Sequence, residues 1–410
     1  MQQTSRADAS AVASPATSAR PDASASREAF RELLSLLDAL SEEWIAPERG
    51  VETAERDALA HESLASVLWG ALEFYATEDF DKPHFSPIVT PWRKWSDNPD
   101  ARYYFTPLRG DATYRVRGRR GSEVYLNFTV HRGDRDGEWP QGVVADLNMQ
   151  DMHFAPDGSY ELILAAQAPR DAKPGHTNWI QLTPDAGSLI VRFYHQNETT
   201  AANDPATVPE LSIELEREPD APSPPTPAAS DAEIALRLRR VANWVRSKYK
   251  LQVLSQPGRP SPSWLSTVPN TLGVPEPWVA DPSAQGWGAV DVAYAAGPYE
   301  LGPDQALVME GRLPRGVFSN VVLWNEMGRT EDYRDRQVSL NARQIETDGD
   351  RRFRIVVAHR DPGLRNWLDT AGRTRGTIYW RHMLPEEPPE AIRTRVVPFD
   401  EIARSGAAAD

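Results

Sequence analysis

The chain has 410 residues, of which 40% are hydrophobic and 25% are charged, so it holds enough apolar material for packed cores. Acidic residues outnumber basic ones by 59 to 45, and the net charge of −14 disfavours nucleic acid or an anionic membrane as a general partner. The lack of cysteine excludes disulfides, thiolate metal sites and cysteine nucleophiles. No apolar run reaches the roughly 18–20 residues that span a bilayer.

Residues 1–26 are rich in Ala, Ser and Thr, which predicts a disordered tail. The tail lacks the cationic start and the apolar run of a secretory signal, so we expect a cytoplasmic protein. Residues 27–98 form a helical segment that ends in a loop. Ser26 can cap a first amphipathic helix, which Pro47 ends, and a second amphipathic helix follows.

The segment from His84 to Tyr104 concentrates aromatic residues among prolines. Loops of this kind most often wrap and seal the edge of a core. The alternative is a lid over an aromatic pocket, which would suit sugars or flat hydrophobic substrates. The sequence leaves both interpretations open.

From about Ala101 the hydrophobic period changes to two, as in Ser122–His131, which we interpret as a half-buried strand. The fold class that follows is mainly β: two related antiparallel, jelly-roll-like β-sandwich domains, with N-terminal helices and an inter-domain helix. The predicted segments after the helical region are a first sandwich (99–217), a Pro/Ala/Ser linker (218–229), a connecting helix and loop (230–285), a second sandwich (286–400) and a tail (401–410).

An internal repeat supports the two-sandwich prediction. LNMQDMHFAPDGSYELILAA, from Leu147, and LNARQIETDGDRRFRIVVAH, from Leu340, share a Leu-Asn start, an Asp-Gly turn and an alternating strand. The same offset of 193 residues carries Asn127 onto Asn320. Two later blocks, around Asn178-Trp179 and GSLIVR, recur in the same order, which indicates a duplicated unit.

The segments NPDARYYFTPLRGDATYRVRG, GSYELIL and NWIQLTPDAGSLIVRFY resemble the bacterial family called domain of unknown function 1214. The resemblance covers about 100 residues of the first half well and the second half, with FRIVVAHRDPGLRNWLDTAGRTRGTIYWR, more loosely. It implies a jelly-roll or sandwich domain. No agreed activity or catalytic set comes with the family.

Two pairs of repeated residues have structural and functional interpretations. Asn178-Trp179 and the equivalent Asn366-Trp367 either tie down a loop at the sandwich end or form a stacking platform for a ligand. Arg192 and Arg381 end equivalent strands, and their repetition favours a shared structural role, such as a guanidinium that holds carbonyls or a carboxylate.

The densest polar cluster lies in the second copy. His359 or Asp361 would be an acid/base group, with Arg381 as an anion stabiliser. The substrate-binding residues of this predicted site are Trp367, Trp324, Asn366, Glu326 and His382. A salt-bridged rim around a loop is the alternative interpretation of the same cluster.

The sequence has no P-loop, no G-x-S-x-G and no H-E-x-x-H motif, and His131 and His195 lack metal-ligand spacing, so we expect no cofactor and no metal. The predicted function is a hydrolase or lyase that acts on a glycoside-like or isoprenoid-like hydrophobic small molecule in an aromatic-lined pocket. A non-catalytic small-molecule-binding protein and an interaction scaffold are the alternatives. The expected partner is a small-molecule substrate or ligand, with no nucleic acid and no membrane span, and a homo-oligomer stays open.

Overall fold

The computed structural model describes residues 24–44, 53–170, 172–173, 175–217, 228–251, 261–277 and 286–406. The predicted tail at residues 1–26 therefore lies outside the described residues except for its last three. The predicted linker at 218–229 lies outside them except for its last two residues, and the end of the C-terminal tail lies outside them as well.

Four α-helices are present in the described residues: α1 (Ala25–Trp44), α2 (Ala54–Ala71), α3 (Asp231–Leu251) and α4 (Phe399–Gly406). Helix α1 begins one residue before Ser26, the predicted cap. The reason is a carboxylate from another helix, because the backbone N–H of Ala25 donates to Asp231 Oδ2 at 2.8 Å. Helix α2 is capped by Thr53, whose Oγ1 accepts from the Arg56 N–H at 3.3 Å, and it continues into a π-helical turn at Leu72–Ala76.

Nine strands form the first sandwich: β1 (Ser86–Pro87), β2 (Ala101–Pro107), β3 (Tyr114–Arg119), β4 (Tyr125–Arg132), β5 (Val143–Asn148), β6 (Ser159–Ala165), β7 (Asn178–Gln181), β8 (Ala186–Tyr194) and β9 (Leu211–Leu215). They pair as two sheets in the orders β1-β2-β8-β4-β5 and β7-β6-β3-β9. We call the five-stranded sheet the inner sheet and the four-stranded sheet the outer sheet.

Nine further strands form the second sandwich: β10 (Glu276–Pro277), β11 (Val292–Glu300), β12 (Gln305–Arg312), β13 (Phe318–Trp324), β14 (Ser339–Asn341), β15 (Arg352–Ala358), β16 (Trp367–Asp369), β17 (Arg375–Met383) and β18 (Arg393–Pro398). The inner sheet has the order β10-β11-β17-β13-β14 and the outer sheet the order β16-β15-β12-β18, which repeats the first sandwich strand for strand. The predicted fold class is confirmed.

The strand register repeats as well. Asn127 pairs with Asn148 and Arg192 in the first inner sheet, and Asn320 pairs with Asn341 and Arg381 in the second. Most strand pairs are antiparallel, as predicted, but β6 with β7 and β15 with β16 are parallel. The duplication seen in the sequence is thus a duplication of topology and pairing.

The two inner sheets face each other, so both of their faces are buried. In β8, Leu189, Val191 and Phe193 belong to the core of the first sandwich. Tyr194 on the opposite face contacts Phe318 of the second sandwich, with ring centroids 5.2 Å apart. The prediction of a half-buried strand at 122–131 therefore needs correction: β4 is buried on both faces, because the second sandwich covers the face expected to meet water.

Two aspartates at equivalent places connect the sandwiches reciprocally. Asp100, just before β2, accepts from Asn320 Nδ2 at 2.9 Å and from Asn341 Nδ2 at 3.0 Å. Asp291, just before β11, accepts from Tyr125 Oη at 2.7 Å and from Asn148 Nδ2 at 2.9 Å. The segment that leads into each sandwich is therefore held by the other sandwich.

Helices α1, α2 and α3 pack together against the inner sheet of the first sandwich. Their shared core includes Leu33, Val67 and Trp244 from the helices, and Phe105 and Ile190 from β2 and β8. None of the helices among the described residues is long and apolar enough to cross a membrane.

Candidate ligand-binding cavity

The structure does not bring the predicted acid/base set together. Arg381, on β17, faces the first sandwich, whereas His359 and Asp361 follow β15 in the outer sheet. The second sandwich has two layers: β15 and β16 belong to the outer sheet, whereas β17, the next strand in the chain, belongs to the inner sheet. The predicted site grouped these residues because they are close in the sequence, but the two layers of the sandwich separate them.

Each member of the outer group has local partners. The His359 ring nitrogens lie 2.6 Å from Thr370 Oγ1 and 3.1 Å from the Gly302 carbonyl oxygen. Asp361 is exposed, and its carboxylate accepts from the Gly363 N–H at 2.7 Å. This arrangement corresponds to the alternative interpretation, a polar rim around a loop.

The repeated Asn residues tie down loops in the same way in both copies. Asn366 Nδ2 donates to the carbonyl oxygens of Glu346 (2.8 Å) and Arg354 (3.1 Å). Asn178 Nδ2 makes the equivalent bonds to His153 and Glu161, both at 2.9 Å. The interpretation as a loop-holding residue is confirmed for both.

The neighbouring tryptophans are equivalent as well. The Trp367 indole N–H donates to the Ala358 carbonyl at 3.3 Å, and the Trp179 N–H donates to the Ala165 carbonyl at 3.4 Å. Trp367 packs against the cluster beneath α4, which is on the far side of the outer sheet.

The remaining members of the predicted site are held elsewhere. Glu326 forms an ion pair with Arg56 of α2. His382 is buried, with its Nδ1 2.9 Å from Ser319 Oγ and its ring stacked on Trp380, and burial lowers its pKa to about 3. Only Trp324 and Arg381 of the predicted set lie on the cavity described next.

A cavity of about 260 Å³ lies where the two inner sheets and α3 meet. Its walls carry five tryptophans, namely Trp95, Trp139, Trp264, Trp287 and Trp324. Four tyrosines complete the aromatic lining, namely Tyr103, Tyr194, Tyr294 and Tyr379. Trp95 and Tyr103 come from the Pro-aromatic segment at His84–Tyr104, so two aromatic residues of that segment line the cavity.

The charged groups on the described walls of the cavity are all cationic. They are Arg192, Arg381 and Lys248, and none of the described lining residues carries a carboxylate. The exposed fractions of these residues are only 2%, 5% and 5%, respectively. In a chain with a net charge of −14, this is a local concentration of positive charge.

Arg192 is fully engaged by protein atoms. Its Nη1 donates to Asn127 Oδ1 at 3.0 Å and to Thr129 Oγ1 at 2.6 Å. Its Nη2 donates to the Trp287 carbonyl at 2.9 Å. The Thr129 hydroxyl donates in turn to Asp146 Oδ1 at 2.6 Å, so a carboxylate lies one step beyond the guanidinium. Arg192 therefore fulfils the predicted structural role.

Arg381 occupies the equivalent position without the equivalent bonds. Its Nη1 is buried without a hydrogen-bond partner, and the guanidinium forms no ion pair with any described residue. It lies over the ring of Tyr379, with its Cζ 4.5 Å from the centroid, and 5.4 Å from the centroid of Trp324. The expectation that both arginines share one role is corrected for Arg381.

Two substitutions between the copies explain the difference. The register that aligns Asn127 with Asn320 aligns Thr129 with Val322, and Asp146 with Ser339. The second copy therefore lacks the hydroxyl that Arg192 uses and the carboxylate on the neighbouring strand. Asn320 Nδ2 donates to Asp100, as Asn127 Nδ2 donates to Asp146, but Asn320 Oδ1 accepts no hydrogen bond from Arg381, whereas Asn127 Oδ1 accepts one from Arg192.

Lys248 enters the cavity from α3. Its Nζ lies 5.1 Å from the centroid of the Trp139 ring, a cation–π contact, and no described carboxylate pairs with it. Burial lowers the pKa of Lys248 to about 7. At neutral pH, part of this side chain is the uncharged amine.

The tyrosines add neutral hydrogen-bond donors to the walls. Tyr103 Oη donates to Tyr194 Oη at 2.9 Å, and Tyr294 Oη accepts from the Ala289 N–H at 3.2 Å. Burial raises the pKa of Tyr194, Tyr294 and Tyr379, so their hydroxyls stay protonated. The cavity thus combines flat apolar walls, tyrosine hydroxyls and buried positive charge.

A larger, open depression of about 1120 Å³ lies on the outer sheet of the first sandwich. Two of its arginines are paired with glutamates, Arg115 with Glu216 at 2.9 Å and Arg117 with Glu161 at 3.0 Å. None of the arginines among the described lining residues is buried, unlike Arg381. Among the described residues, no group of three or more His, Asp or Glu side chains is placed to hold a metal ion.

The chain is similar to one protein-family model and to two solved structures. Residues 105–198 match the family model described as "Protein of unknown function (DUF1214)", so the resemblance seen in the sequence is confirmed. No curated protein matches the chain. The crystal structure of an uncharacterised protein from Burkholderia cenocepacia is similar at 28% identity and a TM-score of 0.78, and the alignment covers 91% of this chain and 98% of that one. A protein from Vibrio parahaemolyticus aligns at 13% identity and a TM-score of 0.48, with coverage of 82% and 98%.

Proposed function

We propose that this protein binds a small organic anion with a flat, apolar body in the cavity between the two sandwiches. The observation that carries the proposal is the buried guanidinium of Arg381, whose Nη1 has no hydrogen-bond partner and which forms no ion pair with a described carboxylate. Asp100 interacts with this guanidinium through space, but its carboxylate is already hydrogen-bonded to Asn320 and Asn341. Of the functions that the sequence left open, this is the non-catalytic small-molecule-binding protein.

The energetics of burial support an anionic ligand. A buried charge without a partner costs several kcal/mol, and a carboxylate or phosphate that forms two hydrogen bonds with a guanidinium offsets this cost. Arg192, at the equivalent position, has its polar neighbours from the protein itself. Arg381 lacks them, so an incoming anion would supply the missing acceptors.

The walls and the volume narrow the ligand class. Five tryptophans and four tyrosines offer flat faces for stacking, and the cavity of about 260 Å³ lies below the roughly 300–1,000 Å³ of pockets for drug-sized molecules. A monocyclic or bicyclic aromatic carboxylate fits this description. The larger glycosides that the sequence interpretation considered do not suit the volume.

The hydrolase or lyase prediction lacks geometric support. Acid–base catalysis needs a titrating group within hydrogen-bond reach of the substrate. His359 and Asp361 follow the end of β15 in the outer layer and are not among the described residues that line the cavity, where Lys248 is the titrating side chain nearest neutrality. The predicted acid/base pair therefore does not support a hydrolase or lyase, and ligand binding is the function that we put forward.

The test is isothermal titration of the full chain with 2-naphthoate and with the uncharged 2-naphthamide. We expect naphthoate to bind more tightly, and Arg381→Gln to weaken naphthoate by roughly 10–100-fold, the magnitude of a charge-assisted hydrogen bond, while naphthamide changes little. Arg375→Gln is the matched control, because it removes one positive charge from the same strand at the Glu300 ion pair outside the cavity. Equal affinity of the two compounds, or an unchanged naphthoate affinity in Arg381→Gln, would refute the proposal.

A further inference from the structure

Lys248 is a buried lysine that faces the cavity. It lies on α3, where two arginines pair with acidic residues: Arg239 with Glu32 at 3.0 Å and Arg240 with Glu78 at 2.5 Å. Among the described residues, the Nζ of Lys248 contacts the face of Trp139 and forms no ion pair. An ion-pairing role, which explains these two arginines, does not explain this lysine.

The other lysines differ from Lys248. The chain has five, and Lys82 and Lys173 are exposed. Lys94 is buried, but its Nζ donates to the Glu331 carbonyl at 3.0 Å, so that its ammonium protons are engaged. Among the lysines whose side chains are described, Lys248 alone is buried, faces a cavity and has no hydrogen-bond acceptor within the described part of the chain.

These surroundings favour the neutral amine. An aromatic lining solvates an ammonium ion poorly, and no carboxylate among the described lining residues compensates for its charge. A neutral lysine amine is a nucleophile toward carbonyl carbon. The nearby tyrosine hydroxyls are donors that can polarise a carbonyl oxygen.

We propose that the Nζ of Lys248 condenses with an aldehyde or ketone group on the bound anion to form a reversible imine. This inference rests on the proposed function, since the anion held by Arg381 presents the carbonyl. The amine adds to the carbonyl carbon to form a C–N bond, its two protons leave with the carbonyl oxygen as water, and a C=N bond remains. No electron acceptor or donor is required.

The experiment traps the imine on the intact chain. The protein is incubated with 4-formylbenzoate, reduced with cyanoborohydride, digested, and analysed by peptide mass spectrometry. Carboxybenzyl labelling of Lys248 should exceed that of the exposed Lys82 and Lys173 by at least about tenfold, since neither of these lies on a cavity that would hold the probe beside the amine. Labelling spread evenly over all three would overturn the inference.

Two comparisons separate this inference from the proposed function. The carbinol 4-(hydroxymethyl)benzoate has the same anion and ring but no carbonyl, so it should bind in an Arg381-dependent manner and protect Lys248 from labelling. If the carbinol binds in this way and Lys248 stays unlabelled, the imine is refuted and anion binding stands. If Lys248 is labelled equally by 4-formylbenzoate and by uncharged benzaldehyde, and the carbinol neither binds nor protects, the lysine is reactive but the anion site is refuted.

Discussion

The difference between Arg192 and Arg381 can be reversed by two substitutions. Val322→Thr and Ser339→Asp place in the second copy the hydroxyl and the carboxylate that Thr129 and Asp146 supply in the first. Both positions have the required register, because Thr129 pairs with Asp146 and Val322 pairs with Ser339 across equivalent strands. The double variant should give Arg381 internal acceptors.

The expected magnitude follows from the first copy. There the guanidinium donates to a threonine hydroxyl at 2.6 Å, and that hydroxyl donates to a carboxylate at 2.6 Å. Hydrogen bonds of a charged group contribute about 1.5–3 kcal/mol each, so a ligand that must displace one such bond loses roughly 10–100-fold in affinity. The thermal midpoint should rise, since a buried charge gains partners.

The assay measures naphthoate affinity by titration calorimetry and the unfolding midpoint by differential scanning calorimetry. Val322→Thr with Ser339→Asn is the control, because it keeps the shape and omits the negative charge. A double Thr/Asp variant that binds naphthoate as tightly as the unsubstituted chain would refute the argument that missing partners make Arg381 a ligand anchor.

The remaining predictions concern stability. Asn178→Ala and Asn366→Ala each remove an amide that bonds to loop carbonyls, so each should lower the free energy of unfolding by about 1–3 kcal/mol and leave naphthoate affinity unchanged; weaker binding in either variant would revive the stacking-platform interpretation. Burial lowers the pKa of His382 to about 3, so its neutral ring stabilises the fold above the unfolded pKa near 6.5, and this stabilisation is lost as the pH falls from about 6.5 towards 3. His382→Gln should therefore flatten the fall of urea-unfolding free energy between about pH 6 and 4 by about 1.4 kcal/mol per pH unit, and an unchanged slope would contradict the assignment.

The fold could be predicted because the signals that carry it are local. Alternation of apolar residues gives strands, the Asp157-Gly158 turn separates them, and repetition at an offset of 193 shows that one topology occurs twice. The same offset carries Asn127 onto Asn320 and fixes their pairing with Arg192 and Arg381. The repeat therefore predicts that the two copies share one register, whereas the identity of the paired residues comes from the structure.

The cavity could not be predicted because it depends on which faces meet. Every residue of β8 is buried, so its alternation does not tell the core face from the face that meets the second sandwich. From the sequence, Arg192 and Arg381 could therefore be placed only at the ends of their strands, and not on the walls of one cavity. Trp287 and Lys248 gave no repeat signal, because Trp287 lies in the connection between β10 and β11 and Lys248 lies on the connecting helix α3.

The reciprocal packing explains how duplication produces a site that neither copy contains alone. The segment before β2 holds the second sandwich through Asp100, and the segment before β11 holds the first through Asp291. Each inner sheet therefore presents one arginine to the same cavity. Arg192 joins its sheet to the segment before β11 through the Trp287 carbonyl. The second copy has neither the threonine nor the aspartate at the equivalent positions, so Arg381 lacks the hydrogen bonds that hold Arg192. Divergence at Val322 and Ser339 is thus sufficient to turn a symmetric structural pair into one structural arginine and one available for a ligand.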